Sequence, residues 1–175
     1  ASQQLTYNKE VLEFSKNLNI ENKNNLMFRM PPVYRGWNLD KKLIKEGFKN
    51  SISKEKNTFI DDLTKSKIAI INANSTTILE TFLLNFPTLL FLNKEHWKIN
   101  KESQYYFDML SDVNIMFNKP QDAANWLNIN YSNIESWWYD KDVQSVVKIF
   151  SKKFALGNIK FRDKWLKQIN SLYRP

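Results

Sequence analysis

The chain has 175 residues with no cysteine, one histidine and three glycines, and 26 Lys+Arg against 18 Asp+Glu leave a formal charge of +8. A chain this long can bury about 70% of the surface it exposes when unfolded, so one domain needs no staples, and the absent cysteines exclude disulfides, thiolate metal sites and cysteine nucleophiles. With His96 as the sole histidine, a histidine-rich metal cluster is excluded as well, and no metal is expected.

The elements follow in order. Leu5, Val11, Leu12, Phe14 and Leu18 recur at helix-compatible spacing and predict a helix over residues 5–19. "NLMFRMPP" is a short apolar burst closed by Pro31 and Pro32, hence a strand of about five residues, because proline lacks the N–H a ladder requires. "VYRGWN" is a loop, with Gly36 a turn and Trp37 an anchor. Residues 39–46 form a helix ended by Gly47, "FKNSIS" a second strand and "TFIDDLTKS" a short helix with Phe59, Ile60 and Leu63 on one side. "KIAII", at 67–71, is apolar without alternation, as a parallel strand covered on both faces should be. The helix "STTILETFLLNF" is closed by Pro87, and "TLLFLN" is another fully buried strand. Helix 101–111, the strand "VNIMF" and the helix "KPQDAANWLN", with Pro120 near its first position, complete the alternation.

Alternating strands and helices predict an α/β fold, a three-layer Rossmann-like parallel sheet of about five strands within one domain, 1–175. After Asn130 the strands stop. Residues 131–175 read as a C-terminal segment of two or three amphipathic helices packed across the sheet, with Trp137, Trp138, Val147, Phe150, Phe154 and Trp165 among their apolar faces.

The densest chemistry lies in "NANSTTILE", residues 72–80. Ligands of an open parallel sheet bind beyond the carboxyl ends of its strands, where a helix N-terminus offers unpaired N–H groups and roughly half a positive charge, both suited to phosphate. Ser75, Thr76 and Thr77 add hydroxyl donors within one turn, and Asn74 tolerates the left-handed backbone such a turn often demands. Glu80 lies on the same helix face as Thr76, one turn deeper, where its carboxylate can accept from the hydroxyls of a ribose. A nucleoside phosphate fits both groups. The structural alternative is that Thr77 to Glu80 is simply a capping box, though one cap needs one hydroxyl.

In "NSTTILETFLLNFPTLLFL", the small-residue turn, the glutamate and the proline seven positions on resemble the donor-binding half of GT-B glycosyltransferases and their relative UDP-N-acetylglucosamine 2-epimerase; Glu80 and Pro87 have that separation. Ser75-Thr76 is similar to the Ser-Ser/Thr motif with which bacterial sialyl- and Kdo-type transferases hold a nucleotide phosphate. "ESWWYDKDVQSVVKIFSKKFA" with "FRMPPVYRGWN" resembles a transferase family of bacterial surface-carbohydrate and O-antigen gene clusters, over nearly all of residues 26–156. The epimerase-like relatives have glycines where Ser75 and Thr76 stand, which favours the Ser-Ser/Thr type.

This resemblance implies a C-terminal, donor-binding domain of the GT-B type serving lipopolysaccharide or surface-polysaccharide synthesis. Asn74, Ser75, Thr76 and Thr77 would hold the phosphate of a CMP- or UDP-linked sugar, and Glu80 its ribose, with no further cofactor. An N-terminal domain would bring the glycan acceptor and the catalytic base, so these residues would bind without turning over alone. A sugar-nucleotide epimerase or hydrolase of related fold, and a non-catalytic domain holding an acidic glycan or a protein, are the alternatives.

Further candidates lie near the same predicted edge. Arg29 and Arg35 end the first strand, where a guanidinium fork suits phosphate; a surface or structural ion pair is the other reading of Arg29. The sialyltransferase-like families carry His-Pro in a comparable place, and here Met30-Pro31 stands instead. Asn93 and His96 follow the second buried strand, within reach of a phosphate or a proton transfer. Adjacent Asp61 and Asp62 point about 100° apart on a helix and read as a solvated face, and Asp140-Lys141-Asp142 as a helix start. The lysines are scattered among asparagines, and no nucleic-acid module, glycine-rich phosphate loop or zinc motif occurs. No apolar run reaches the roughly 20 residues of a membrane span, and "ASQQLTYNKE" lacks the order of a secretion signal. We expect a soluble, cytoplasmic protein with peripheral contact at the inner face of the inner membrane.

Overall fold

The structure, a computed structural model, describes residues 2–30, 38–54 and 56–155. Along the chain run α1 (Ser2–Asn17), α2 (Ile20–Asn24), α3 (Leu39–Lys45), α4 (Phe59–Leu63), β1 (Ala69–Ile71), α5 (Thr76–Leu83), β2 (Thr88–Phe91), α6 (Lys101–Asp112), β3 (Met116–Phe117), α7 (Pro120–Asn130), α8 (Ile134–Trp138) and α9 (Lys141–Phe154).

The runs without polar alternation build the centre. β1, β2 and β3 pair in parallel in that order, with Ala69 opposite Thr88 and Leu90 opposite Met116. All four residues of the middle strand are buried, and its side chains alternate between faces as the pleat requires. Leu90 joins Ile71, Ile78, Phe82, Phe107 and Phe150 on one side, and Leu89 and Phe91 join Phe14, Leu18, Ala124 and Leu127 on the other. The first side is therefore covered by α5, α6 and α9, the second by α1 and α7. Two crossovers stepping the same way across the sheet deliver α5 and α6 to one face, as a constant crossover hand demands. The predicted three layers are present.

Among the described residues the sheet has three strands, not about five. The predicted strands at 26–30 and 48–53 meet in a single parallel bridge, Phe28 with Ile52, where the Phe28 N–H donates to the Ser51 carbonyl at 2.7 Å and the Ser53 N–H to the Phe28 carbonyl at 2.8 Å. Lys49–Ser51 winds into a 3-10 turn with no buried residue, and neither segment supplies the buried apolar run that a ladder covered on both faces needs. Phe28 instead packs its ring edge against Phe48, at 5.3 Å. The polar helix α2, capped by the Asn19 side chain, has no apolar period and is absent from the sequence-based prediction.

Three helices end alike. After α3, α5 and α6 stand Gly47, Asn85 and Asn114 with φ of 91°, 49° and 60°, and the next residue donates back into the helix: Phe48 to Leu43, Phe86 to Thr81 and Ile115 to Leu110, at 2.9, 2.9 and 2.8 Å. These are Schellman closures. An asparagine-rich chain with three glycines thus uses asparagine for two of these left-handed stops. Asn74, able to tolerate a left-handed backbone, is not among the positive-φ residues, so its turn does not use that tolerance.

In the C-terminal segment Asp140 caps α9, accepting from the Asp142 N–H at 2.8 Å, as its sequence predicts. The last part of the predicted helical segment 131–175, beyond residue 155 and including Trp165, lies outside the described residues, as do Pro31, Pro32, Arg35, Gly36 and Trp37.

Candidate functional site

β1 ends at Ile71, and three residues later Ser75 becomes the N-cap of α5, with extended backbone and no capping bond from its side chain. The first-turn N–H groups of a helix have no intrahelical acceptor, and here Asn74, Ser75 and Thr76 are exposed. Because the helix opens at Thr76, Thr77 is not an N-cap and the T-I-L-E capping box does not form. A capping box forms instead at Thr58 and Asp61, before α4.

β2 repeats the geometry. Beyond it a turn at 93–97 leads to Asn100, whose side chain caps α6 by accepting from the Ser103 N–H at 2.8 Å. Between the two helix starts lies a cleft of about 520 Å³, lined by Asn74, Ser75, Thr76, Ile78 and Leu79 from one side, Lys98, Ile99, Asn100, Ser103 and Phe107 from the other, and Phe150 and Phe154 of α9. Small-molecule sites span roughly 300–1,000 Å³. The lining contains one ammonium, Lys98, and no carboxylate. Two positive helix ends, a lysine and apolar walls suit an anion attached to an apolar or aromatic group.

A second groove, about 500 Å³, runs between α5 and α9 past Leu83, Asn85, Lys141, Gln144 and Lys148. It joins the carbonyl end of α5, whose dipole opposes an anion, to the first residue of α9, whose dipole favours one, so the two helix ends there act in opposite senses.

Of the residues singled out from sequence, Asn74, Ser75 and Thr76 come together in the cleft, whereas Thr77, half-buried, and Glu80, exposed on α5, do not line it. Asn93 is occupied locally: its Nδ2 donates to Glu10 at 2.8 Å and its Oδ1 accepts from the Glu95 N–H at 2.9 Å. His96 is half-buried in the following turn, outside the lining. Sequence reading missed Lys98, Asn100, Ser103 and Phe154. A second strand–loop–helix unit ending in an asparagine cap was the available signal for the first three.

Arg29 is taken up by its neighbours, donating to Asp62 Oδ2 at 2.6 Å and to the Asn57 carbonyl at 3.1 Å. The expectation of a solvated Asp61-Asp62 pair fails for Asp62, which is 4% exposed and also accepts from Ser53 and Asn57. Burial works against its charge, but the bonds from Ser53, Asn57 and Arg29 outweigh it and hold the carboxyl below its ordinary value of 3.8. The stabilisation is thus complete above that value and is lost as pH falls through the lower, folded-state one. In Asp62→Asn, thermal unfolding between about pH 2 and 7 should show a lower plateau near neutrality and a shallower acid limb; an unchanged acid limb would remove Asp62 from this role.

The fold and cleft define an α/β protein with a ligand-sized opening beyond the carboxyl ends of a parallel sheet. Residues 1–169 match the model of the LIC12162 family transferases, and the chain belongs to that family. No curated protein and no solved structure matches it. A transferase family is what the resemblance led us to expect, at that level of description. Among the described residues no helix is long and apolar enough to cross a membrane, and no group of three or more His, Cys, Asp or Glu is placed to hold a metal ion.

Proposed function

We propose that the cleft between the starts of α5 and α6 holds the phosphate of a nucleotide-sugar donor, and that the chain is the donor-binding part of a glycosyltransferase for bacterial surface polysaccharide or lipopolysaccharide. The observation that carries this reading is the start of α5, exposed, without a side-chain cap, and lining with Lys98 a cleft that has no carboxylate in its walls. Thr76 and Ser75 hydroxyls and the first-turn N–H groups bind the phosphate oxygens. Phe154 and Phe107 offer the base an apolar wall. The acceptor hydroxyl attacks the anomeric carbon; a new oxygen–carbon bond forms as the carbon–oxygen bond to the phosphate breaks, and the acceptor's proton passes to a base on a separate, acceptor-binding part of the enzyme. Charge developing on the departing nucleotide phosphate is met by the helix end and Lys98, placed before the reaction begins. The enzyme would work at the inner face of the inner membrane.

Titration calorimetry with CMP, UDP and GDP tests the reading. One nucleotide should bind, and Ser75→Ala/Thr76→Ala should weaken it at least tenfold, since a hydrogen bond to a charged group is worth about 1.5–3 kcal/mol. Binding by none of the three, or equal affinity in the double variant, would overturn it.

A further inference from the structure

α1 does more than cover a face of the sheet. Tyr7 and Glu10, three residues apart and so neighbours on one helix face, reach the two turns that carry the cleft. The Tyr7 hydroxyl donates to Asn72 Oδ1 at 2.7 Å, and Asn72 is the first residue after β1. Glu10, 8% exposed, accepts from Asn93 Nδ2 at 2.8 Å. Asn93 in turn organises its own turn: its side chain accepts from the Glu95 N–H, and its carbonyl from the N–H groups of His96 and Trp97 at 3.0 and 2.9 Å. Asn72 Nδ2 is enclosed with no hydrogen-bond partner, so the orientation of this side chain rests on the Tyr7 hydroxyl.

The chemistry is costly for a mere packing helix. An apolar residue at either position would cover the sheet without dehydrating a phenol or a carboxylate. What the polar pair adds is direction, because each bond ends on a turn rather than in the core. The first turn leads within three residues to Ser75, and the second within five to Lys98. α1 is itself anchored on α7, where Gln121 donates to Glu13, and by Phe14 stacked on Phe91 at 5.1 Å.

We infer that Tyr7 and Glu10 are positioning residues: through Asn72 and Asn93 they hold the two turns at a set separation, and with them Ser75 and Lys98 on either side of the cleft. The inference rests on the anion-binding reading above for its purpose but not for its geometry.

Hydrogen–deuterium exchange on the free chain separates the two. Tyr7→Phe, which deletes one oxygen, should speed exchange about tenfold at 78–80, the first amides of α5 bonded back to its opening turn, and Glu10→Leu should do so at 95–97, with β2 and α7 unchanged in both. Glu10→Gln keeps a carbonyl acceptor for Asn93 and should stay near the wild type. Affinity for the bound nucleotide should fall several-fold in Tyr7→Phe and Glu10→Leu and recover in Glu10→Gln. Unaltered exchange in both turns, or acceleration spread evenly over the chain, overturns the inference. Local acceleration in a chain that binds no nucleotide upholds the clasp and removes the function proposed for the cleft.

Discussion

Ser75→Asp is expected to make the protein more stable and to abolish anion binding at once. Ser75 is an N-cap whose side chain makes no capping bond. A carboxylate there accepts from the first-turn N–H groups and meets the positive helix end, together worth about 1 kcal/mol, or a rise of roughly 3 °C in midpoint for a chain of this size. The same carboxylate occupies the donors a phosphate would use and repels it: two charges 4 Å apart near a protein surface oppose each other by about 4 kcal/mol. That exceeds the ~2.7 kcal/mol of a hundredfold loss in affinity. Differential scanning calorimetry and nucleotide titration on one sample read both signs. Retained binding would place the ligand elsewhere, and a lower midpoint would mean that the Ser75 side chain already serves the helix.

Trp138→Ala should give the largest loss of stability. The indole is fully buried, lies against Phe82 with ring centroids 6.0 Å apart, and donates its N–H to the Asn85 carbonyl and Oδ1 at 3.1 and 3.0 Å. Truncating a buried tryptophan costs about 3–5 kcal/mol, against a total of roughly 5–15 kcal/mol for a domain. Trp138→Phe keeps most of the ring volume and removes the donor, so about 1–3 kcal/mol is expected. Denaturant midpoints should rank wild type, Phe, then Ala. Equal midpoints for Phe and Ala would assign the effect to the hydrogen bond rather than to packing.

The parallel sheet was legible because its strands leave a mark in sequence: 68–71 and 89–92 are apolar without interruption, although only β2 is buried throughout and β1 is partly exposed, and Pro120 marks the start of α7. The segments at 26–30 and 48–53 lack such runs: Arg29 interrupts the first, Lys49, Asn50 and Ser51 the second, both are partly exposed, and they meet in a single bridge. Local pattern also located Ser75, since strand, small polar turn and helix are contiguous. It did not locate Lys98 or Phe154, which reach the cleft by tertiary packing from 23 and 79 residues further along. Nor does composition distinguish Asp61 from Asp62, one exposed in a capping box and the other enclosed by Ser53, Asn57 and Arg29. That difference comes from which way each points off a one-turn helix.

α9 joins the two ends of the molecule. At its start Gln144 shares Asn85 Oδ1 with Trp138 and donates to the Trp138 carbonyl at 2.8 Å; near its end Phe150 and Phe154 form part of the cleft wall. A helix of fourteen residues is about 21 Å long, and with Val143, Val146, Val147 and Phe150 buried along it it links the contact at Asn85 to the cleft wall as one packed element. The aromatic wall is thus moored twice, at the far rim through Asn85, which lies outside the cleft lining, and beside the cleft by the rings of Tyr106 and Phe107.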